Sequence, residues 1–206
     1  MDELKPIRRL VDADNSCLFS SIAYLTDRGN YNDSSSLIYR NMIVEYLHNN
    51  EFEDALLDLP KPYYISEISN TNKWGGGIEI KIFSEIFKMQ IAVVDSQTNR
   101  IDLFGQDQNY ENIIFIFYTG IHYDPLVMNF DETMESESDI TIFKTSDKDI
   151  LNKFKDFCKN FTEKGDFVDI GNILLLECTD CQEKFMNKVS ATAHANEKDH
   201  WNFKQL

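Results

Sequence analysis

Apolar residues along the chain fall into short runs whose spacing predicts the elements. Ile7-Arg8-Arg9-Leu10-Val11 reads as a short strand. A helical pattern follows, with Leu18, Phe19, Ile22, Ala23 and Leu25 apolar, and Asp14-Asn15-Ser16 supply loop and N-cap residue types ahead of it. A second helix is predicted over residues 36–48, with Leu37, Ile38, Met42, Ile43, Tyr46 and Leu47 on its buried face. Acidic, proline-interrupted sequence then runs through Lys61-Pro62 with a short helix on either side. After polar Asn70-Thr71-Asn72-Lys73, the glycines Gly75-Gly76-Gly77 lead into a helix that buries Ile78, Ile82, Phe83, Ile86 and Phe87. Strand-like runs come next, at 90–94, 100–104 and 113–118. Helices first and strands afterwards imply α/β or α+β architecture, a central sheet flanked by helices.

Beyond Leu126 the pattern changes. Residues 131–139 are acidic and lack apolar periodicity, which predicts an exposed linker or irregular excursion. A helix is then expected from near Ser146 to Phe161, with Ile150, Leu151, Phe154 and Phe157 on one face. The expected division is a main domain over 1–128, a linker and helical extension over 129–170, and a small unit over 171–206.

The candidate chemistry lies at two places about a hundred residues apart. Asp14-Asn15-Ser16-Cys17 puts a cysteine at the first turn of a predicted helix, where unpaired amides and the helix dipole favour a negative sulfur. Ile121-His122-Tyr123-Asp124 supplies an imidazole and a carboxylate to orient it. Thiol hydrolysis needs these three groups in contact. Each alone has a plain alternative: a buried structural thiol, an unrelated histidine, and for Asp124 a turn residue before Pro125.

Cys178-Thr179-Asp180-Cys181, followed by His194 and His200, gives Cys-x2-Cys-x12-His-x5-His. That spacing fits a tetrahedral structural zinc held by two thiolates from a turn and two imidazoles from one side of a helix. Phe185 and Val189 in the spacer would pack around the metal, whose binding supplies much of the folding energy of so short a unit. DNA recognition fits poorly, because Lys188-Val189-Ser190-Ala191-Thr192-Ala193 offers a single basic side chain where base-reading fingers present several polar ones.

Charge points the same way. The 206 residues carry 20 Lys and Arg against 35 Asp and Glu, a net charge of −15. This opposes phosphate contacts and nucleic-acid binding and suits a basic partner, with Glu67 and Glu79 as candidate steering carboxylates. Four cysteines, two of them in one Cys-x-x-Cys pair, fit a reducing compartment with a metal site. No apolar run suggests a membrane span and Met1-Asp2-Glu3 is a poor signal-peptide start, so a cytoplasmic or nuclear protein is expected.

Five ordered blocks make the chain resemble the ovarian-tumour family of deubiquitinating cysteine proteases, in its zinc-finger-bearing branch. They are Asp14-Asn15-Ser16-Cys17-Leu18-Phe19, Trp74-Gly75-Gly76-Gly77-Ile78-Glu79-Ile80, Ala92-Val93-Val94-Asp95-Ser96-Gln97-Thr98, Arg100-Ile101-Asp102-Leu103-Phe104-Gly105 and Gly120-Ile121-His122-Tyr123-Asp124-Pro125-Leu126. The resemblance implies a papain-like fold and hydrolysis after the C-terminal Gly of ubiquitin. It gives Cys17 as nucleophile, His122 as base and acid, Asp124 as orienting group and Asp14 as a further active-site acid. Amides of the 14–17 loop would receive the oxyanion, catalysis would need no cofactor, and zinc would serve the finger alone. Asn15, Ser16, Trp74, Gly75, Gly76 and Ile121 would line a narrow channel for the Gly-Gly tail. Trp74 as a core aromatic and the glycines as a helix lead-in are the plain alternatives. The variable loop 67–73 would touch the distal ubiquitin. Asp149 and Ile150, at the start of the late helix, would engage a second ubiquitin of a polyubiquitin chain, unless that helix docks on the chain's own core. The branch is further linked to the AAA ATPase valosin-containing protein and to endoplasmic-reticulum-associated degradation through an N-terminal ubiquitin-like domain. This chain departs from that pattern, since only a few residues precede its first strand. The competing readings are a ubiquitin-binding finger adaptor without catalysis and, against the charge, a nucleic-acid or protein adaptor.

Overall fold

A computed structural model describes residues 3–52, 54–57, 59–133, 135–163 and 176–185, together with His194, Ala195, Glu197, Lys198, His200 and 203–205. The chain divides into two compact units, Met1–Lys164 and Gly165–Leu206. No helix among the described residues is long and apolar enough to cross a membrane.

In the first unit, strand β1 (Lys5–Arg8) precedes helix α1 (Cys17–Thr26), followed by α2 (Ser35–Asn49), α3 (Asp54–Leu57), α4 (Lys61–Ser69) and α5 (Gly77–Phe87). Strands β2 (Gln90–Asp95), β3 (Arg100–Phe104), β4 (Asn112–Tyr118), β5 (Tyr123–Asn129) and β6 (Phe143–Lys144) then lead to α6 (Lys148–Glu163). The sheet runs β1-β5-β4-β2-β3, with β6 beside one end of β4; β2 and β4 are parallel and the other pairs antiparallel.

Side-chain alternation splits this sheet between two cores. Ile91, Val93, Ile114, Ile116 and Val127 pack with α1, α2, α4 and α5, whereas Ala92, Val94, Phe115, Phe117, Leu126 and Met128 pack with α6. Burial on both faces explains why 113–117 reads as an unbroken apolar run. Helix α1 is buried from Cys17 through Leu25, so it threads the first core with its N-terminus at the end of the sheet.

Several sequence expectations are corrected. The inward face of α2 is Tyr39, Arg40, Ile43 and Leu47, while Leu37 and Ile38 face solvent. Tyr39 stacks on Phe87 and packs at a tilt against Phe83, and the Arg40 guanidinium lies over the Phe19 ring, contacts that turn this face of the helix inward. Strand β5 was not among the expected strands; within it Pro125 sits opposite Ile116 and its carbonyl accepts the Arg9 N–H.

The segment expected as a linker and extension over 129–170 belongs to the first unit as far as Lys164. The buried Asp139 carboxylate anchors it. Arg9 reaches that carboxylate through Nε at 2.9 Å and Nη2 at 2.7 Å, the Tyr24 hydroxyl donates at 2.5 Å and Asn129 Nδ2 at 2.7 Å. An acidic residue was read as exposed because its cationic partner lies 130 positions away. Helix α6 docks by Ile150, Phe154 and Cys158, with the Phe154 ring centroid 4.3 Å from that of Phe115.

The second unit contains a small antiparallel sheet, β8-β7-β9, formed by β7 (Leu176–Cys178), β8 (Lys184–Phe185) and β9 (Phe203–Gln205). Phe185 is buried there as expected. Val189, the 188–193 run and the expected boundary near 171 lie outside the described residues.

Phe154→Ala should therefore destabilise the entire first unit by about 3–5 kcal/mol, through lost transfer energy and a cavity. Urea denaturation should show one transition at a lower midpoint. An unchanged midpoint would make α6 a dispensable appendage.

Candidate active site and metal centre

Cys17 opens α1 as a buried residue. The N-cap, Ser16, makes no side-chain capping bond, so no side chain of that residue occupies the first-turn amides. The loop ahead of it is held locally: Asp14 Oδ1 accepts the Ser16 N–H at 2.8 Å. Asp14 itself is exposed, and this bond gives it a loop-shaping role beside Cys17.

His122 comes from the tight β4–β5 turn. The Thr119 N–H donates to the His122 carbonyl at 3.0 Å and the His122 N–H to Thr119 Oγ1 at 3.2 Å. Gly120 has φ +98°, and a Cβ there would stand 2.3 Å from Gln97 Nε2, which donates to the Thr119 carbonyl at 2.9 Å. The positive φ is what requires glycine there, since the crowding atoms are the movable end of the Gln97 side chain.

The imidazole of His122 is buried, its Nε2 lies 3.0 Å from Asp124 Oδ1, and Cys17 is near enough to the ring to act on its proton. Burial alone would lower its pKa. The hydrogen bond to Asp124, the approach of Cys17 and the negative charges of both outweigh burial and raise it to about 10. Cys17, His122 and Asp124 therefore form one connected chain of groups.

Asp124 has no solvent exposure. Its Oδ1 also accepts the Val11 N–H at 3.0 Å, and Oδ2 meets Arg8 Nε at 2.7 Å and Nη2 at 2.6 Å. Burial pushes the Asp124 carboxyl up, but the His122 hydrogen bond, the Arg8 charge and the Val11 amide together hold it below the ordinary carboxylate range. Arg8 in turn lies over the Phe117 ring at 5.0 Å. Sequence reasoning missed Arg8; the only available signal was a basic residue inside an apolar strand.

The expected channel residues gather at the same end. The indole N–H of Trp74 donates to Asn15 Oδ1 at 2.5 Å, and the ring is 41% exposed, so Trp74 is no core aromatic. Gly75 is fixed by close approach: a Cβ would stand 2.8 Å from Leu18 Cδ2 and 3.0 Å from the Phe19 ring, whereas Gly76 has open space. Ile121 is half-buried beside His122. Glu79 cannot steer a partner. It is 2% exposed, accepts from the Gly76 N–H at 2.7 Å and from the Tyr64 hydroxyl, and burial pushes its carboxyl up against those bonds. Asp149 is exposed, but Ile150 is buried in the α6 core, so that residue is corrected from binding surface to packing.

In the second unit the ligand atoms of Cys178, Cys181, His194 and His200 lie within 4.8 Å of one another. Cys181 Sγ is 3.4 Å from His194 Nε2, and Cys178 Sγ is 3.7 Å from His200 Nδ1. The other nitrogen of His194 faces Glu183 Oε2 at 3.2 Å, an outer carboxylate of the kind that orients metal-bound imidazoles, and one the sequence reading missed.

Residues 12–125 match the family model described as OTU-like cysteine protease. Ubiquitin thioesterase OTU1 of Xenopus laevis is 37% identical over 202 residues, covering 97% of this chain and 66% of that protein. The Homo sapiens protein of the same name is 34% identical, covering 97% and 57%. This chain therefore spans less than two thirds of the length of these two relatives. OVARIAN TUMOR DOMAIN-containing deubiquitinating enzyme 2 of Arabidopsis thaliana is 32% identical, with 97% of each chain covered. A solved structure of an ovarian tumor (OTU) domain in complex with ubiquitin matches with TM-score 0.66 and 34% identity, covering 78% of this chain and 88% of that one. The chain belongs to the OTU-like cysteine protease family, whose model begins just ahead of the Cys17 loop and ends just past Asp124.

Proposed function

We propose that this chain is a deubiquitinase that cuts the bond after the C-terminal Gly of ubiquitin, in polyubiquitin chains and other conjugates. The observation that carries the reading is the connected Cys17–His122–Asp124 chain, set in a family whose solved member holds ubiquitin. The same intact chain disfavours a finger adaptor without catalysis.

Cys17 as thiolate attacks the Gly carbonyl carbon, forming a C–S bond and pushing an electron pair onto oxygen. As the tetrahedral species collapses, the C–N bond breaks and the His122 imidazolium gives its proton to the leaving amine. Water then attacks the thioester, losing a proton to His122, and Cys17 leaves as thiolate. Asp14 occupies the Ser16 N–H, which leaves the Asn15 and Cys17 amides to receive the oxyanion. Trp74, Asn15, Gly75, Gly76 and Ile121 wall the tail channel, where the Gly75 approach to Leu18 and Phe19 keeps it narrow.

The residues of the second unit fit zinc: two thiolates and two imidazoles with ligand atoms within 4.8 Å and a carboxylate behind one imidazole. When bound, the metal supplies folding energy, and none of the catalytic steps uses it. The four cysteines are free, as a reducing compartment would keep them, in line with the proposed cytosolic or nuclear location; a role in protein quality control is part of the same proposal.

A ubiquitin probe carrying a C-terminal thiol-reactive group should form a covalent adduct with the wild-type chain and none with Cys17→Ala. Non-covalent binding alone would favour the adaptor, and neither would end the ubiquitin reading. His122→Ala should be as inactive as Cys17→Ala. Asp124→Ala should lose activity and also about 3–5 kcal/mol of stability, because the buried Arg8 charge loses its carboxylate partner.

The pH dependence follows from the raised His122 value. Pairing with Asp124 and Cys17 favours the protonated ring, so its stabilisation is complete below about pH 6.5 and is lost as pH rises through about 10. The alkaline limb of kcat/KM should lie near that value in wild type and move downward in Asp124→Asn, which removes a charge that holds the proton. An unmoved limb would show that Asp124 does not tune the ring.

Freshly purified protein should contain one zinc per chain by metal analysis. Chelation should melt the finger without removing activity on a ubiquitin C-terminal amide of a small fluorophore. Absence of zinc would overturn the site.

A further inference from the structure

Resting on the reading of Cys17 as nucleophile, we propose that Arg40 is a positioning residue that fixes the nucleophile loop from beneath and so sets the amides that receive the oxyanion. Arg40 projects inward from α2 and has no solvent exposure. Its Nη2 donates to the Asn15 carbonyl at 3.2 Å and to Ser16 Oγ at 3.0 Å. Its Nη1 donates to the Ile68 carbonyl at 2.9 Å. The guanidinium carbon stands 4.1 Å from the centroid of Phe19, two residues beyond Cys17.

A packing role alone does not account for this residue. Its hydrogen-bond partners among the described residues are neutral oxygens, and Nε is buried with none. Burial accordingly pulls its pKa down, opposed by the charges of Glu79, Asp14 and Cys17. A buried cation so partnered costs more than a hydrophobe of the same size would. What only a guanidinium supplies here is a planar fork that holds two segments at once, the 15–16 loop and the end of α4.

Those segments are the ones the chemistry needs in register. The Asn15 carbonyl is drawn toward Arg40, which fixes the 15–16 peptide plane between the two amides assigned to the oxyanion. Asn15 is gripped a second time through its side chain by Trp74. Ile68 lies at the end of α4, where the chain turns into the loop that carries Trp74. Arg40 thus ties the channel loop and the nucleophile loop to one rigid helix. Misplacing an oxyanion donor by about 1 Å is the kind of change that costs on the order of 10²-fold in rate.

The test is steady-state hydrolysis of a fluorogenic ubiquitin C-terminal amide by Arg40→Met, Arg40→Lys and Arg40→Ala beside the wild type, with thermal melts to report the folded fraction. In Arg40→Met, kcat should fall on the order of 10²-fold with KM within about twofold, since the loss lies in the transition state. Arg40→Lys keeps the charge, but one nitrogen cannot span Asn15, Ser16 and Ile68, and kcat should fall at least about tenfold. Guanidinium at millimolar concentration should restore kcat to Arg40→Ala, and urea should not. Wild-type kcat in either folded variant, a loss confined to KM, or equal rescue by urea would overturn the positioning role. Should Arg40→Met fail to fold, the Arg40→Lys value decides. A wild-type chain that cuts no ubiquitin amide would bring down the underlying reading and this inference with it; a wild-type-like Arg40→Lys in a working enzyme brings down this inference alone.

Discussion

The first unit is organised around one buried anion. Asp124 has no exposure, and a carboxylate out of water is tolerated only when its lone pairs are met. Its two oxygens divide the work: Oδ2 faces two nitrogens of Arg8, and Oδ1 takes the Val11 amide and His122. These partners come from β1, the segment after it and the turn before β5. Arg8 is registered against Leu126, on the same side of the sheet as Asp124. A slip of β1 by one residue would turn Arg8 to the other face and orphan the carboxylate. Strand register and the orientation of the imidazole are thus one constraint.

The neighbouring arginine extends this logic. Arg8 reaches Asp124 and Arg9 reaches Asp139, so consecutive side chains at the end of one edge strand and just past it hold two buried carboxylates. The first fixes the histidine, and the second pins the 129–140 stretch to α1 through Tyr24. Such pairs are weak as net stabilisers, because desolvation offsets much of their attraction, but breaking one is severe. Their effect here is to make wrong arrangements costly at the end of the sheet where Cys17 and His122 meet.

The elements with clean periodicity were legible: α1, α5, the strands 90–94 and 100–104, and the late helix all lie close to their expected places. So were the residues with distinctive chemistry, Cys17, His122, Asp124 and the finger ligands, which the structure brings together in two clusters. What was not legible depended on partners distant in sequence. Arg40 and Asp139 are charged, and charge reads as surface until a hydrogen-bonding cage is known. Glu79 sits at the third position of a helix, where a carboxylate satisfying the Gly76 N–H looks the same on paper as one facing solvent. Ile150 illustrates the converse, an apolar residue whose docking against its own sheet leaves no binding face.

On the proposed reading, the channel shows how the fold prepares for a substrate without side chains. Gly75 leaves no room for a Cβ against Leu18 and Phe19, so this wall is pressed onto the very helix that carries Cys17. Trp74 stands 41% exposed, yet its indole N–H is tethered to Asn15. An exposed aromatic held by a polar anchor gains most when an extended backbone lies over it and excludes water. Asn15 then feels both ends of the event: the channel through Trp74 and the scaffold through Arg40. Tail binding and oxyanion geometry meet at one residue, which is why recognition of the Gly-Gly tail and alignment of the reacting carbonyl are one act in this site.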